Sequence, residues 1–298
     1  MSSRSIQVRA AVPADIPGLV RLFQRHYAQP KPAAYFRWQF FSPDMPAALV
    51  VAEADGEVVG AFGFMRRALT HGLQAAQAMD MLLDEPFRGQ GWFEQMARQA
   101  AAAVPAVDIR VVLANRAGMA AVTRRLDWVV VAQVPVYVAR ADDGAGAPAA
   151  PERGAAESGE EALRIRYDEA VAAWRFAAHP LNRYHRLEAA GLRGYLKCFA
   201  DPADPARRFG DVLYAASGDS AQREAWLRQA LEWFRAEGVG ECGLWSLPGN
   251  PWAESALRIG FRPREQERWL CVQWTDKAPA AGLRTPRWDV CAADAEFY

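Results

Sequence analysis

The residues best suited to chemistry lie in the segment Met79–Ala97, MDMLLDEPFRGQGWFEQMA. An apolar strand is followed by a turn with Pro86, the loop Arg88–Gly91 and an amphipathic helix. This order predicts an anion site, because the first N–H groups of a helix lack partners within it and its dipole is positive there. Glycines let the backbone approach a phosphate closely, and Arg88 adds a charged donor.

A second candidate is Asp80, an acid inside an otherwise apolar strand. Strand alternation places it on one face with Leu82 and Asp84, opposite Met79 and Met81. A buried acid costs free energy unless it is paired or functional. Two interpretations stay open: a general base for an amine, or a structural aspartate that is hydrogen-bonded to a neighbouring strand or paired with an arginine.

No other residues form a recognisable catalytic or metal motif. The glycine spacing fits neither a Walker loop nor a dinucleotide fingerprint. The histidines are scattered without Ser or Cys partners, which argues against a hydrolase triad. No cysteine forms a CxxC or has a histidine at metal-ligand spacing, so we expect no metal and a reduced, cytoplasmic protein. The cysteines are Cys198, Cys242, Cys271 and Cys291.

Length and composition favour a two-domain globular protein. The chain has 298 residues, 51 % of them hydrophobic, and a formal net charge of zero. It can form packed cores, and it lacks the basic excess of a general nucleic-acid binder. The N-terminus has no signal-peptide pattern, and no apolar run is long enough to span a membrane.

The first 140 residues predict the element order β-α-α-β-β-β-α-β-α-β. An Asp-Gly turn at Asp55 is a strong hairpin signal. The predicted elements are a strand Ile6–Ala10, a helix from Ile16 to about Tyr27, an aromatic segment Tyr35–Phe41, a hairpin Ala48–Ala54 and Glu57–Met65, a strand Leu73–Leu83, a helix Gln90–Val104, a strand Val107–Leu113, a helix Asn115–Leu126 and a β segment Trp128–Ala139.

The second half repeats this pattern more weakly after Asp142–Ala162, a Gly-, Ala-, Pro- and acid-rich stretch that predicts a linker. Val112–Trp128 and Leu244–Phe261 share the order strand, Asn, helix and aromatic residue, which indicates an internal duplication. The predicted elements are strands Tyr195–Phe199 and Asp211–Ala216, a helix Ala221–Glu237, a strand Cys242–Leu247, a helix Pro251–Ile259 and a strand pair from Phe261 onward.

The Arg-x-x-Gly-x-Φ spacing from Arg88 and the element order resemble the GNAT superfamily (Gcn5-related N-acetyltransferases) over nearly all of residues 5–140. We therefore predict an α/β fold with mixed sheets and two GNAT-like domains in tandem, as in a group of bacterial tandem-GNAT proteins. Residues 1–140 carry the acyl-CoA loop, 141–163 are a linker, and 164–298 form a degenerate copy with a tail. In that copy an acidic segment, Ser217–Ser220, replaces the Arg/Gly loop and would repel a phosphate.

The resemblance implies that acyl-CoA lies in an opening between two parallel strands. Leu82 and Leu83 would offer backbone groups to the pantetheine amides, and Asn115 would contact the cofactor or cap the following helix. Phe93 departs from the usual small residue and would narrow the site, or it belongs with Trp92 to the core. The residues implied to hold the pyrophosphate are Arg88, Gly89, Gln90, Gly91, Trp92 and Phe93.

For catalysis, an amine must lose a proton, and a nearby base assists. Asp80 is the first candidate for this base and Glu53, on the adjacent hairpin, the second. The family often has a tyrosine that protonates the leaving thiolate, but Val122 and Leu257 stand at the matching positions. Tyr137 is the candidate substitute.

The resemblance implies an acyl-CoA-dependent N-acyltransferase that uses acetyl-CoA and transfers the acyl group directly, in a ternary complex. The expected acceptor is an amine of a small molecule or amino sugar, and the expected protein is a monomer or homodimer that binds no nucleic acid. Two alternatives stay open: a non-catalytic scaffold with a GNAT fold, and an aminoacyl or peptidyl transferase of similar tandem architecture.

Overall fold

The structure is a computed structural model that describes residues 6–43, 45–141, 162–275 and 287–295. Within these ranges no helix is long and apolar enough to cross a membrane. The elements of the first half are β1 Ile6–Ala10, α1 Ile16–His26, α2 Ala33–Phe40, β2 Ala47–Ala54, β3 Glu57–Ala68, β4 Gln74–Leu83, α3 Trp92–Ala103, β5 Ile109–Ala114, α4 Arg116–Arg125, β6 Val129–Gln133 and β7 Val136–Arg140.

The second half contains helices and strands in the predicted order, with an additional short helix and strand at its start. They are α5 Glu169–Ala172, β8 His185–Ala189, β9 Leu192–Ala200, β10 Arg208–Ala215, α6 Ser220–Ala236, β11 Glu241–Trp245, α7 Pro251–Arg258, β12 Arg262–Arg264 and β13 Trp269–Trp274.

The first sheet has seven strands in the order β1-β2-β3-β4-β5-β13-β6. The first four are antiparallel to their neighbours, whereas β4 and β5 are parallel because α3 crosses between them. Alternate residues of β2 face opposite layers: Val50 and Ala52 belong to the core beneath α3, and Leu49 and Val51 to the core beneath α1 and α2.

The two central parallel strands diverge. They pair only over Ala75–Gln77 and Ile109–Val111. Both then continue, β4 to Leu83 and β5 to Ala114. The carboxyl ends of these strands therefore enclose an opening in the first sheet, which is the feature that the family resemblance implies.

A β-bulge lies on β4 beside this opening. Gly63 pairs with Met79 and Ala61 with Leu82, so three steps along β4 match two along β3. Asp80, inside the bulge, has a φ of 52°, in the left-handed region that β-branched and bulky residues avoid. The predicted alternation is wrong here, because the extra residue lets Met79 and Leu82 pack in the same cluster beneath α1 and α2.

The second sheet has six strands in the order β12-β7-β11-β10-β9-β8. Its central pair, β10 and β11, is again parallel, with α6 as the crossover. Glycines let α6 approach closely: a Cβ on Gly194 or Gly210 would lie 2.3 Å from the Trp226 ring or 2.4 Å from the Phe234 ring. Both aromatic side chains are fully buried in the core of this unit.

One strand of each sheet comes from the other half of the sequence. The predicted β segment Trp128–Ala139 is two strands, β6 in the first sheet and β7 in the second. Pro135 separates them and cannot donate to a strand ladder. The strand pair expected from Phe261 is likewise divided, since β12 joins the second sheet and β13 the first.

The compact units are therefore interleaved along the chain. Of the described residues, 6–131, 165–181 and 269–275 form the first unit, and 132–141, 162–164, 182–268 and 287–295 the second. They differ from the predicted division at 140 and 163 because β7 belongs to the second unit, whereas residues 165–181 and β13 belong to the first. The predicted linker lies largely outside the described residues.

The predicted acidic substitute for the loop begins a helix in the second unit. Asp219, within Ser217–Ser220, accepts a hydrogen bond from Gln222 N at 2.8 Å, and the Gln222 side chain accepts one from Asp219 N at 3.0 Å. This reciprocal pair is a capping box. The carboxylate thus occupies the helix start at which the first unit has its Arg/Gly loop.

A C-terminal segment docks in the second unit. Trp288 is buried, and Asn250 donates to its carbonyl at 2.8 Å and to Asp289 Oδ1 at 3.2 Å. Burial raises the pKa of the Asp289 carboxyl from 3.8 to about 6. The sequence predicts docking of both Trp288 and Tyr298, but Tyr298 lies outside the described residues.

Asp289→Asn tests this burial. A carboxyl whose pKa is raised in the folded state destabilises the fold as pH rises from about 4 to 6. The variant keeps the oxygen that accepts a hydrogen bond from Asn250. Between pH 4 and pH 7, its free energy of unfolding should rise by roughly 2–3 kcal/mol relative to that of the wild type. Denaturant unfolding at both pH values measures the change, with Asp204→Asn as an exposed control in the same unit. An equal gain at both pH values would contradict the assignment.

Candidate functional site

The loop after β4 forms an open cradle at the start of α3. Gly89 and Gly91 have φ values of 76° and 85°, which side chains rarely adopt. A Cβ built on either glycine meets no atom within 4 Å, so the space above the loop is open. No side chain caps the helix at Gly91. The first N–H groups of α3 therefore point into this space without an intrahelical acceptor.

Arg88 and Gln90 brace the loop from within. Arg88 Nε donates to the Leu83 carbonyl at 2.9 Å, and Gln90 Nε2 donates to the Pro86 carbonyl at 2.9 Å. Arg88 is exposed, and no acid pairs with it among the residues that the structure describes. The remaining guanidinium donors and the helix dipole give the loop the electrostatics of an anion site.

Trp92 and Phe93, predicted as loop residues, lie against the core. The Phe93 ring packs edge-on against Phe62, with ring centroids 5.4 Å apart. Trp92 also packs against the cluster beneath α3, and its Nε1 donates to Gln90 Oε1 at 3.4 Å. The Phe93 ring therefore turns towards the core, while the Trp92 indole contacts both the core and Gln90 of the loop.

Leu82 and Leu83 lie where the resemblance places the pantetheine-binding strand. Leu82 pairs with Ala61 and Leu83 with Gly60 along one edge of β4. The other edge of β4 borders the opening, since pairing with β5 has ended at Gln77. The strand thus leads from the opening directly into the Arg88–Gly91 loop.

The junction between β4 and the loop is fixed from α1. Arg25 Nη2 donates to Asp84 Oδ2 at 2.6 Å and to the Val58 carbonyl at 3.0 Å. His26 Nε2 lies 2.6 Å from Asp84 Oδ1. The sequence predicts no functional part for Arg25 and a structural part for His26. Tertiary packing brings both to the end of the strand.

Asp80 pairs with a lysine. Its side chain is 0 % exposed, and its Oδ1 accepts a hydrogen bond from Lys31 Nζ. Lys31 Nζ also donates to Tyr35 Oη at 3.2 Å and lies 4.4 Å from the centre of the Tyr35 ring. A paired Asp80 is one of the two interpretations that the sequence leaves open, with a neighbouring strand or an arginine as the expected partner, whereas the partner in the structure is a lysine. The only local signal for Lys31 is its position between Pro30 and Pro32.

A cavity adjoins Lys31 in the first unit. It has a volume of about 460 Å³ and lies along α1 and α2. Its lining is mainly apolar, with Ile16 and Val20 on α1, and Lys31 and Arg37 contribute charge. The Lys31 side chain thus contacts Asp80 and also lines this cavity.

No protein-family model matches the sequence, and no curated protein matches it significantly. Solved structures match the fold over most of the chain. A GCN5-related N-acetyltransferase from Kribbella flavida has a TM-score of 0.62 and 12% identity, over 92% of this chain and 72% of its own. A tandem GNAT protein from the clavulanic acid biosynthesis pathway has a TM-score of 0.54 and 15% identity, over 93% and 100%. The chain has the GNAT fold.

Eis1 from Mycobacterium abscessus is also similar, with a TM-score of 0.54 and 13% identity over 89% of this chain and 73% of its own. The predicted fold class, an α/β protein with two GNAT-like domains, is thereby confirmed. Within the GNAT fold the opening between β4 and β5 and the Arg88–Gly91 loop belong to one unit.

Asn115 acts as a cap in this GNAT fold. It precedes α4, and its Oδ1 accepts from Gly118 N at 2.8 Å. This is the capping alternative that the sequence left open. Contact with a cofactor stays a prediction for Asn115.

Glu53 lies apart from Asp80. It is on β2, which β3 separates from β4. Arg9 Nη2 donates to Glu53 Oε2 at 2.6 Å and to Asp15 Oδ1 at 2.7 Å. The hydrogen bond from Arg9 lowers the pKa of Asp15. Glu53 thus belongs to an ion network at the β1–β2 edge, and the structure does not bring it to the opening.

Tyr137 lies in the second unit. It is on β7, buried in the core of that unit, opposite Leu244 on β11. Burial raises the pKa of its hydroxyl. Because Pro135 separates β7 from the first sheet, the tyrosine belongs to a different unit from Asp80 and the Arg88–Gly91 loop.

A double-mutant cycle tests the Lys31–Asp80 pair. Asp80→Asn should cost about 3–5 kcal/mol of unfolding free energy, because it leaves a largely buried ammonium without its charge partner. The Lys31→Met/Asp80→Asn double variant should cost less than the sum of the single changes by roughly 1–3 kcal/mol. Denaturant unfolding of the four proteins gives the coupling.

The control cycle uses Arg125→Met and Glu94→Gln, a more exposed pair in the same unit at 3.5 Å. Its coupling should stay below about 1 kcal/mol. Equal coupling in the two cycles would contradict a buried Lys31–Asp80 ion pair.

Proposed function

We propose that the protein is an acyl-CoA-dependent N-acyltransferase. The observation that supports this proposal is that the opening, the edge of β4 and the Arg88–Gly91 loop follow one another without interruption in the first unit. The opening between β4 and β5 follows the β4 strand edge at Leu82 and Leu83, and this edge runs into the Arg88–Gly91 loop at the uncapped start of α3. A donor with an extended amide arm and a pyrophosphate fits that sequence of surfaces.

In this proposal the pyrophosphate of acetyl-CoA binds at the start of α3. The N–H groups from Gly89 to Phe93 and the guanidinium of Arg88 supply donors, and the helix dipole favours the negative charge. The two glycines let the phosphates approach the backbone. The pantetheine amides would then hydrogen-bond to the open edge of β4.

The acceptor is an amine of a small molecule or amino sugar, and transfer is direct. The neutral amine attacks the thioester carbonyl, a C–N bond forms, and the C–S bond breaks with release of the CoA thiolate. Asp80 is the proposed base because it is an acid beside the opening and already binds an amine, that of Lys31. A thiolate is a fair leaving group, so Tyr137 is not required.

A scaffold that binds acyl-CoA without transfer is the second candidate. It is favoured by the Lys31 ammonium, which occupies the carboxylate that a substrate amine would need. The two functions share the donor site and differ only in turnover.

The donor site is tested by calorimetric titration of acetyl-CoA into the wild type and Arg88→Glu. We expect the wild type to bind acetyl-CoA with a micromolar Kd. The affinity of the variant should be lower by roughly hundredfold or more, because a charge-assisted donor becomes a repelling charge. Gln90→Glu should weaken binding roughly tenfold, since it adds a charge of near-identical shape.

The control is Arg98→Glu, an exposed residue within α3 beyond its first turn. It makes the same charge change, and its Kd for acetyl-CoA should lie within about twofold of that of the wild type. Equal losses in Arg88→Glu and Arg98→Glu would indicate a general charge effect. No binding to the folded wild type, with longer acyl-CoAs also tested, would refute the proposed function.

A further inference from the structure

We propose that Lys31 is itself an acyl acceptor, so that the protein acylates its own Nζ from bound acyl-CoA. This inference rests on the proposed function, since it needs the donor in the opening between β4 and β5. It assigns to Lys31 a covalent modification, an amide of the donor's acyl group.

The choice of residue type supports a nucleophile at this position. The chain has 32 arginines and only three lysines, Lys31, Lys197 and Lys277. An arginine forms ion pairs at least as well as a lysine does, but it stays protonated. A lysine can lose a proton and attack a carbonyl. The largely buried position beside Asp80 is therefore occupied by a lysine, which can become a nucleophile, and not by the far more frequent arginine, which cannot.

The surroundings hold the Lys31 amine in one place. Its Nζ hydrogen-bonds to Asp80, donates to Tyr35 Oη at 3.2 Å, and lies 4.4 Å and 5.4 Å from the ring centres of Tyr35 and Phe23. Only 15 % of the side chain is exposed. A flexible lysine is thus confined where its proton acceptor is already in contact with it.

The same contact places the amine beside the opening. Asp80 lies three residues beyond Gln77, where β4 and β5 stop pairing, and its carboxylate contacts Lys31 in the segment between α1 and α2. Leu82, two residues farther along β4, borders the opening that would receive the acyl arm. Lys31 also lines the cavity of about 460 Å³ along α1 and α2, so there is space beside its side chain.

The reaction balances with the donor alone. Asp80 takes one proton from the Lys31 ammonium, and the neutral amine attacks the thioester carbonyl. A C–N bond forms and the C–S bond breaks. The CoA thiolate takes the second proton lost by nitrogen, and the proton on Asp80 passes to water. The products are acyl-Lys31, CoA thiol and one proton.

Acylation would convert the ammonium into a neutral amide and end the ion pair with Asp80. A carboxylate that the unmodified lysine occupies would then be available to an incoming amine. Self-acylation is thereby a step that could precede transfer to an external acceptor.

The test uses the purified full-length protein and acetyl-CoA with an isotopically labelled acetyl group. Peptide mass spectrometry follows label at Lys31 and at Lys197, a partly exposed lysine on β9. We expect Lys31 to acquire label about tenfold or more faster than Lys197, because its base is preorganised. Lys31→Arg should lose this label, and Lys197→Arg should keep it.

The Arg88→Glu variant tests whether labelling of Lys31 depends on acetyl-CoA bound at the Arg88–Gly91 loop. It leaves the lysine intact, and it should reduce labelling of Lys31 to the rate of Lys197. Asp80→Asn should slow Lys31 labelling as well; if that variant does not fold by circular dichroism, the Arg88→Glu comparison still decides.

Two results would overturn the inference and differ in what else they imply. If acetyl-CoA binds by calorimetry but Lys31 is labelled no faster than Lys197, self-acylation is refuted and the proposed donor site stands. If acetyl-CoA does not bind the folded wild type, both proposals fail together.

Discussion

The divergence of two parallel strands is the constraint on which the rest of the first unit depends. β4 and β5 share backbone hydrogen bonds only at their amino ends, up to Gln77 and Val111. A sheet that opens at its centre leaves backbone groups that need another partner. The bulge at Asp80 and the contacts of Asp84 with Arg25 and His26 hold the diverging strand in place. An extended ligand between the strands would satisfy the groups left over.

The charges of the site are arranged in two separate groups. The loop after β4 gathers positive potential from Arg88 and the start of α3, with no acid paired to Arg88 in the described part of the chain. Beneath α1 and α2, by contrast, Asp80 and Lys31 neutralise each other in a largely buried position. The first group thus has the electrostatic potential of an anion site, while the second is an ion pair of a carboxylate and an amine.

The exchange of β7 and β13 makes the two halves of the sequence interdependent. Each occupies an inner position of its sheet, with a strand on either side. An inner strand satisfies backbone groups on both of its edges, so its removal would expose two new edges. The second unit keeps the parallel pair β10 and β11 but begins its crossover helix with the Asp219 capping box. The two units therefore share the parallel pair and its crossover helix, while the segment that begins this helix differs between them.

The sequence by itself determined the order of elements, the Arg88–Gly91 loop and the GNAT fold, because local periodicity, turn residues and the Arg/Gly pattern of the loop are encoded within short segments. It also singled out Asp80 as either a general base or a paired structural aspartate. Only the tertiary structure decided that Lys31 is the partner of Asp80, that Tyr137 lies in the second unit, and that β7 and β13 change sheets. Those outcomes depend on contacts between residues far apart in the chain, and on a one-residue bulge that shifts the alternation of β4, which no local pattern specifies.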